Sequence, residues 1–108
     1  MKDITLKEIT EMIMLQAKEK GFGTRPEEIS VPEKMALIHS EVSEAYEAYR
    51  HNDFDSDDGF NVELGDIVTR VLHLAGAMGV DIEKEILRKL NSNKTREWKW
   101  EEMNEKHV

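Results

Sequence analysis

The chain has no cysteine among its 108 residues. That excludes a disulfide framework and any thiolate metal site. It has only two prolines, Pro26 and Pro32, both before residue 33. The chain beyond them shows no strand-like alternation, so it is expected to be helical. No apolar run approaches the ~20 residues needed to span a bilayer. The first residues lack the apolar stretch of a signal peptide, so a soluble, cytoplasmic protein is expected. Bases are in deficit, with 15 Lys plus Arg against 23 Asp plus Glu and a formal net charge of −8. A nucleic-acid partner is not expected, because such binding draws most of its affinity from Lys and Arg on phosphates.

What is present points to one globular domain spanning residues 1–108, since domains usually run to ~100–150 residues. Hydrophobic content of 39% argues against disorder, and 35% charged residues fit solvated helix surfaces. The acid excess is concentrated. Residues 41 to 66 hold nine acids and one base, Arg50, while the rest of the chain holds 14 of each. The block comprises Glu41, Glu44, Glu47, Glu63, Asp66 and the four aspartates at 53, 55, 57 and 58.

Four helices are expected, an all-α, four-helix bundle-like domain. Thr5 and Glu8 form a capping-box pattern, and Leu6, Ile9, Ile13 and Ala17 follow at helical spacing up to Gly21. Ser30, Pro32 and Glu33 mark a second start, again with a capping box. Its stripe is Met35, Ile38, Val42, Ala45, Tyr46 and Tyr49, ending near His51. A third helix is expected from about Asp58 to Ala77, and a fourth over about 82–94 with Asp81 as its N-cap. Residues 52 to 58 are turn formers.

Glu41 and Glu44 are three apart on the second helix, and Glu63 and Asp66 are three apart on the third. Residues at that spacing project from one helix face. A short loop joins the two helices, so an antiparallel hairpin would bring the pairs together as one four-carboxylate site. Close carboxylates repel, and a hard divalent cation such as Mg²⁺ removes the conflict. Such an ion can polarise a phosphoryl group and lower the pKa of a bound water. The ordinary alternative is a solvated face, which is where most Glu-x-x-Glu patterns lie. The tandem arrangement beside the core positions Val42 and Leu64 raises the site reading.

The C-terminal region is basic, with Lys84, Arg88, Lys89, Lys94, Arg96 and Lys99 within 16 residues. Lys89, Asn93 and Arg96 recur at four and three and would share a face. They read either as cations suited to a helix C-terminus or as a grip on polyphosphate. The four histidines show no ligand spacing, and the methionines read as filler. Trp98 and Trp100 are open between base stacking and packing on a partner subunit.

These residues carry a resemblance to the MazG-like, all-α nucleoside triphosphate pyrophosphohydrolases. The chain is similar to that family in Glu41-x-x-Glu44, in Glu63-Leu64-Gly65-Asp66, and in Lys89-x₃-Asn93-x₂-Arg96, over about residues 30 to 96. The resemblance implies hydrolysis of a (d)NTP to (d)NMP and pyrophosphate. It implies Mg²⁺, or Mn²⁺ in its place, held by Glu41, Glu44, Glu63 and Asp66. Glu41 or Glu44 would activate water, and Lys89, Asn93 and Arg96 would contact phosphates. It also implies a homodimer or homotetramer with sites near subunit interfaces. Many relatives follow the arginine with a Pro-aromatic-Lys/Arg-His-Gly run, where this chain has Glu97-Trp98-Lys99-Trp100-Glu101-Glu102. The first 29 residues carry no family motif, so the base and sugar stay open. Two other readings remain: a phosphoribosyl-ATP pyrophosphohydrolase on the same scaffold, and a non-catalytic helical module whose acidic stripe docks a basic partner.

Overall fold

The computed structural model describes residues 3–95. It is all-helical in those residues: α1 (Leu6–Lys20), a short 3₁₀ turn (Pro26–Glu28), α2 (Val31–Arg50), α3 (Phe60–Ala77) and α4 (Ile82–Thr95). None of the described helices is long and apolar enough to cross a membrane.

The local signals act as expected at the starts of α1 and α4, and in part at α2. Thr5 Oγ1 accepts the Glu8 N–H at 3.1 Å, and Glu8 Oε1 accepts the Thr5 N–H at 3.4 Å, which completes the box. Asp81 Oδ1 accepts the Lys84 N–H at 3.1 Å. At α2 the box is half-made. Ser30 Oγ accepts the Glu33 N–H at 3.4 Å, but the return contact from Glu33 is not formed among the described residues.

The start of α3 differs from expectation. The helix begins at Phe60, not Asp58, and its N-cap is Gly59 with no side-chain cap. Loop carbonyls take the place of a capping side chain. Asp53 O accepts the Phe60 N–H at 2.8 Å, and Phe54 O accepts the Asn61 N–H at 3.1 Å. The backbones come so close that a Cβ at Gly59 would lie 2.9 Å from the Phe54 carbonyl. Tyr49, Phe54 and Phe60 close this end, with ring centroids 5.8 to 6.0 Å apart. Aromatic pairs at such separations add stability beyond their buried area.

Helices α2 and α3 form the main hairpin, α1 packs across α3, and α4 leans chiefly on α1. The buried apolar set among the described residues is small: Ala17, Ala45, Ala75, Ala77 and Leu72. Alanines at these points let helix backbones approach closely but contribute little apolar area. Gly76 extends the same device, because a Cβ there would meet the Met14 side chain, with Cγ 2.7 Å away. Gly76→Val should therefore force the Met14 side chain to shift. We expect a loss of up to about 1–3 kcal/mol in urea unfolding; an unchanged midpoint would show that Met14 moves aside freely.

The expected apolar stripe of α2 is only partly a core stripe. Ala45 is buried, yet Met35, Val42, Tyr46 and Tyr49 are exposed, as are Leu64 and Val68 on α3. Helical periodicity reports an apolar face, and this chain by itself leaves much of that face in water.

Candidate metal centre

The hairpin register decides which acids meet. Arg70 Nε donates to Glu41 Oε1 at 3.1 Å across the α2–α3 interface. One turn toward the loop, Glu41, Glu44 and Glu63 each place a carboxylate oxygen within 4.8 Å of the others. The structure thus brings together three of the four acids that the sequence pairs. Asp66 lies beside Glu41 but outside that triangle.

The four acids sit in different surroundings. Glu41 is buried, only 7% exposed. Its Oε1 has Arg70, while its Oε2 is shielded from solvent with no hydrogen-bond partner. Glu63 is half-buried, and its Oε2 is likewise shielded and unpartnered. Glu44 is exposed and Asp66 is half-buried.

Those surroundings shift protonation. Partial burial pushes the Glu63 carboxyl above its ordinary range, reinforced by close contact with Glu41 and by the charges of Glu41, Glu44 and Asp66. Burial also raises Asp66, again with help from Glu41, and Arg70 partly opposes the rise. The physical cause is common to both: negative charge is being held in a place that water reaches poorly.

A buried carboxylate oxygen with no donor costs free energy unless a cation or a proton meets it. Two such oxygens, on Glu41 and Glu63, lie in one acidic cluster. The donor set is all oxygen, the kind preferred by hard divalent ions such as Mg²⁺, Mn²⁺ or Ca²⁺. The residues present therefore fit a divalent cation, with Glu41, Glu44 and Glu63 as the convergent set and Asp66 at its margin.

Arg70, bonded to Glu41, is a neighbour of the cluster that the motif spacing did not single out. Its signal was available: Glu63, Asp66 and Arg70 recur at three and four, so they share a face of α3. It is the guanidinium that partly neutralises Glu41.

Of the basic motif, Lys89 and Asn93 fall among the described residues. Lys89 is exposed, and among the described residues no α4 cation pairs with a hairpin carboxylate; Arg88 bonds within its own helix to Glu85 at 3.0 Å. Asn93 is half-buried, with a shielded and unpartnered Oδ1. Arg96, Trp98 and Trp100 lie outside the described residues. The loop acids behave as turn formers: Asp53 accepts from Ser56 at 2.8 Å and Asp55 from Asn61 at 3.0 Å. Glu47 pairs with His51 at 2.8 Å and Arg50 at 3.5 Å.

No protein-family model, no curated protein and no solved structure matches this chain significantly.

Proposed function

We propose that the chain is a divalent-cation-dependent nucleotide pyrophosphohydrolase that converts a (d)NTP and water to a (d)NMP and pyrophosphate. The observation that carries this reading is the buried Glu41 with an unpartnered Oε2, set among Glu44 and Glu63. The motif resemblance to the MazG-like enzymes supplies the reaction class, and Mg²⁺ is the expected ion.

When bound, the ion would supply Lewis acidity toward a phosphoryl oxygen and lower the pKa of a bound water. The chain's own groups divide the remaining work. Glu41 is held in place by Arg70 and offers Oε2 as a fixed ligand atom. Glu63 adds a second oxygen from the facing helix. Glu44 has open access to solvent, so it is the better placed of the two candidate bases to take the proton from attacking water. Water cleaves the anhydride between the α- and β-phosphates, and pyrophosphate departs. Lys89, Asn93 and Arg96 are assigned to phosphate contacts.

The same reading takes the protein to be a homodimer or homotetramer. The many exposed apolar residues of α2 and α3, with Ile86, Leu87 and Leu90 on α4, support it, because association would take them out of water.

The test is a nucleotide panel with Mg²⁺, reading inorganic phosphate and pyrophosphate separately. NMP with pyrophosphate is the expected product pair. Release of inorganic phosphate alone, or no turnover of any nucleotide, would overturn the assignment. Sedimentation equilibrium checks the assembly, and a monomer at micromolar concentration would remove the oligomer from the proposal.

A further inference from the structure

Arg70 holds Glu41 by one edge only. Its Nε donates to Glu41 Oε1 at 3.1 Å, and among the described residues neither Nη takes part in a hydrogen bond or ion pair. The two Nη atoms are not among the shielded polar atoms either, so they reach solvent. The side chain as a whole is 38% exposed. Asp66, one turn earlier on α3, lies beside Glu41 and is held down in part by the Arg70 charge. The guanidinium therefore stands at the edge of the carboxylate cluster, with one side committed and the other open.

That half-committed state has a chemical consequence. A free arginine must give up several rotatable bonds to grip a ligand, whereas here Nε is already bonded to a buried carboxylate. The guanidinium plane is thus set before any ligand arrives, which lowers the cost of binding one. The donors left on its outer edge form a planar fork that matches two oxygens of one phosphoryl group. Charge points the same way. A polyphosphate approaching Glu41, Glu44, Glu63 and Asp66 meets four carboxyls, and Arg70 is the cation bonded into their wall. Arg50 and Arg88, by contrast, bond to Glu47 and Glu85 on their own helices, and Lys89 stands exposed on α4.

We infer that Arg70 is a substrate-binding residue: its open Nη edge takes the non-bridging oxygens of a phosphoryl group on the polyphosphate, while Nε keeps Glu41 aligned for the cation. One guanidinium then links the metal ligand to the phosphate chain, so that the two are oriented together. A lysine would not serve both ends, because its ammonium is a single point charge without two separate edges. This role rests on the nucleotide reading above. It adds a phosphate contact from α3, beside the carboxylates, to those assigned to Lys89, Asn93 and Arg96.

The test compares the unsubstituted chain with Arg70→Lys and Arg70→Gln. Calorimetry measures tripolyphosphate binding at saturating Mg²⁺, and thermal shift measures the affinity for Mg²⁺ alone. Arg70→Lys keeps the charge and loses the fork; Arg70→Gln keeps a donor for Glu41 and loses the charge. Both should weaken tripolyphosphate by about tenfold or more, the scale of one charge-assisted hydrogen bond. With a hydrolysed (d)NTP at saturating Mg²⁺, Arg70→Lys should raise KM. A residue that only holds Glu41 would change the Mg²⁺ affinity and leave tripolyphosphate binding at saturating Mg²⁺ as it was; that result would overturn the contact. Should Arg70→Gln fail to fold, Arg70→Lys decides the same comparison alone. Weakened tripolyphosphate binding in a chain that hydrolyses no nucleotide would keep the contact and discard the reaction. Pyrophosphate release with KM and tripolyphosphate affinity indifferent to Arg70→Lys would keep the reaction and overturn the contact. Failure of the unsubstituted chain to bind tripolyphosphate with Mg²⁺ would also overturn it.

Discussion

Glu41→Gln is expected to reduce pyrophosphate release by roughly 10²–10³-fold, the scale on which losing one well-placed electrostatic group lowers turnover. The substitution keeps the side-chain shape and leaves Arg70 an oxygen to donate to. It removes the charge that an incoming cation would meet at Oε2, the shielded atom without a partner. Two opposing effects act on stability. The Arg70 hydrogen bond becomes weaker when its acceptor is neutral. The repulsion that Glu41 exerts on Glu63 and Asp66 disappears. The metal-free melting temperature should therefore move little, within the range of about 1 kcal/mol typical of a point substitution. Turnover equal to the unsubstituted protein, in a folded variant, would sink the metal-centre assignment.

Adding Mg²⁺ should stabilise the protein more near pH 7.5 than near pH 5. The raised carboxyls of Glu63 and Asp66 set the sign. Their ordinary values are 4.5 and 3.8. A carboxyl raised in the folded state contributes stability that is fully present below its unfolded pKa. That contribution is lost as pH rises through the folded value. Without metal, the stability that these two carboxyls contribute should thus be lower at pH 7.5 than below pH 3.8, the smaller of their ordinary values. Glu28 acts in the opposite sense, since hydrogen bonding to the Thr24 N–H lowers its carboxyl, and its contribution is lost as pH falls through the folded value. That window lies below about 4.5.

A cation reverses the trend because it binds the ionised carboxylates and competes with protons. At ten times its Kd, Mg²⁺ would add about 1.4 kcal/mol. For a chain of this size that corresponds to roughly 5–10 °C. Thermal scans at both pH values, with and without Mg²⁺, measure the difference directly. Equal shifts at the two pH values would mean that the ion acts somewhere other than on Glu63 and Asp66.

Much of the helical layout was legible in the sequence because its causes are local. Thr5 with Glu8, and Asp81 ahead of Ile82, use side chains to satisfy N–H groups within three residues. Such bonds need no tertiary partner, so their pattern survives in the sequence. The α3 start was misplaced by two residues for the converse reason. Its first N–H groups bond to Asp53 and Phe54 carbonyls, and a backbone acceptor leaves no residue signature. The two carboxylate pairs could likewise be placed on their helix faces from spacing alone.

The sequence by itself determined an all-α chain, the faces that carry its acids, and the concentration of its −8 charge in one segment. Tertiary structure alone decided which of those acids share a site. The register of α2 on α3 puts Glu41, Glu44 and Glu63 within 4.8 Å of one another and leaves Asp66 at their edge. It buries Glu41 and gives it Arg70, a residue 29 positions away. Helical spacing fixes direction around a single axis. Distance between two axes depends on how closely Ala45, Leu72 and Ala75 let the helices approach, and that depth is a property of packing.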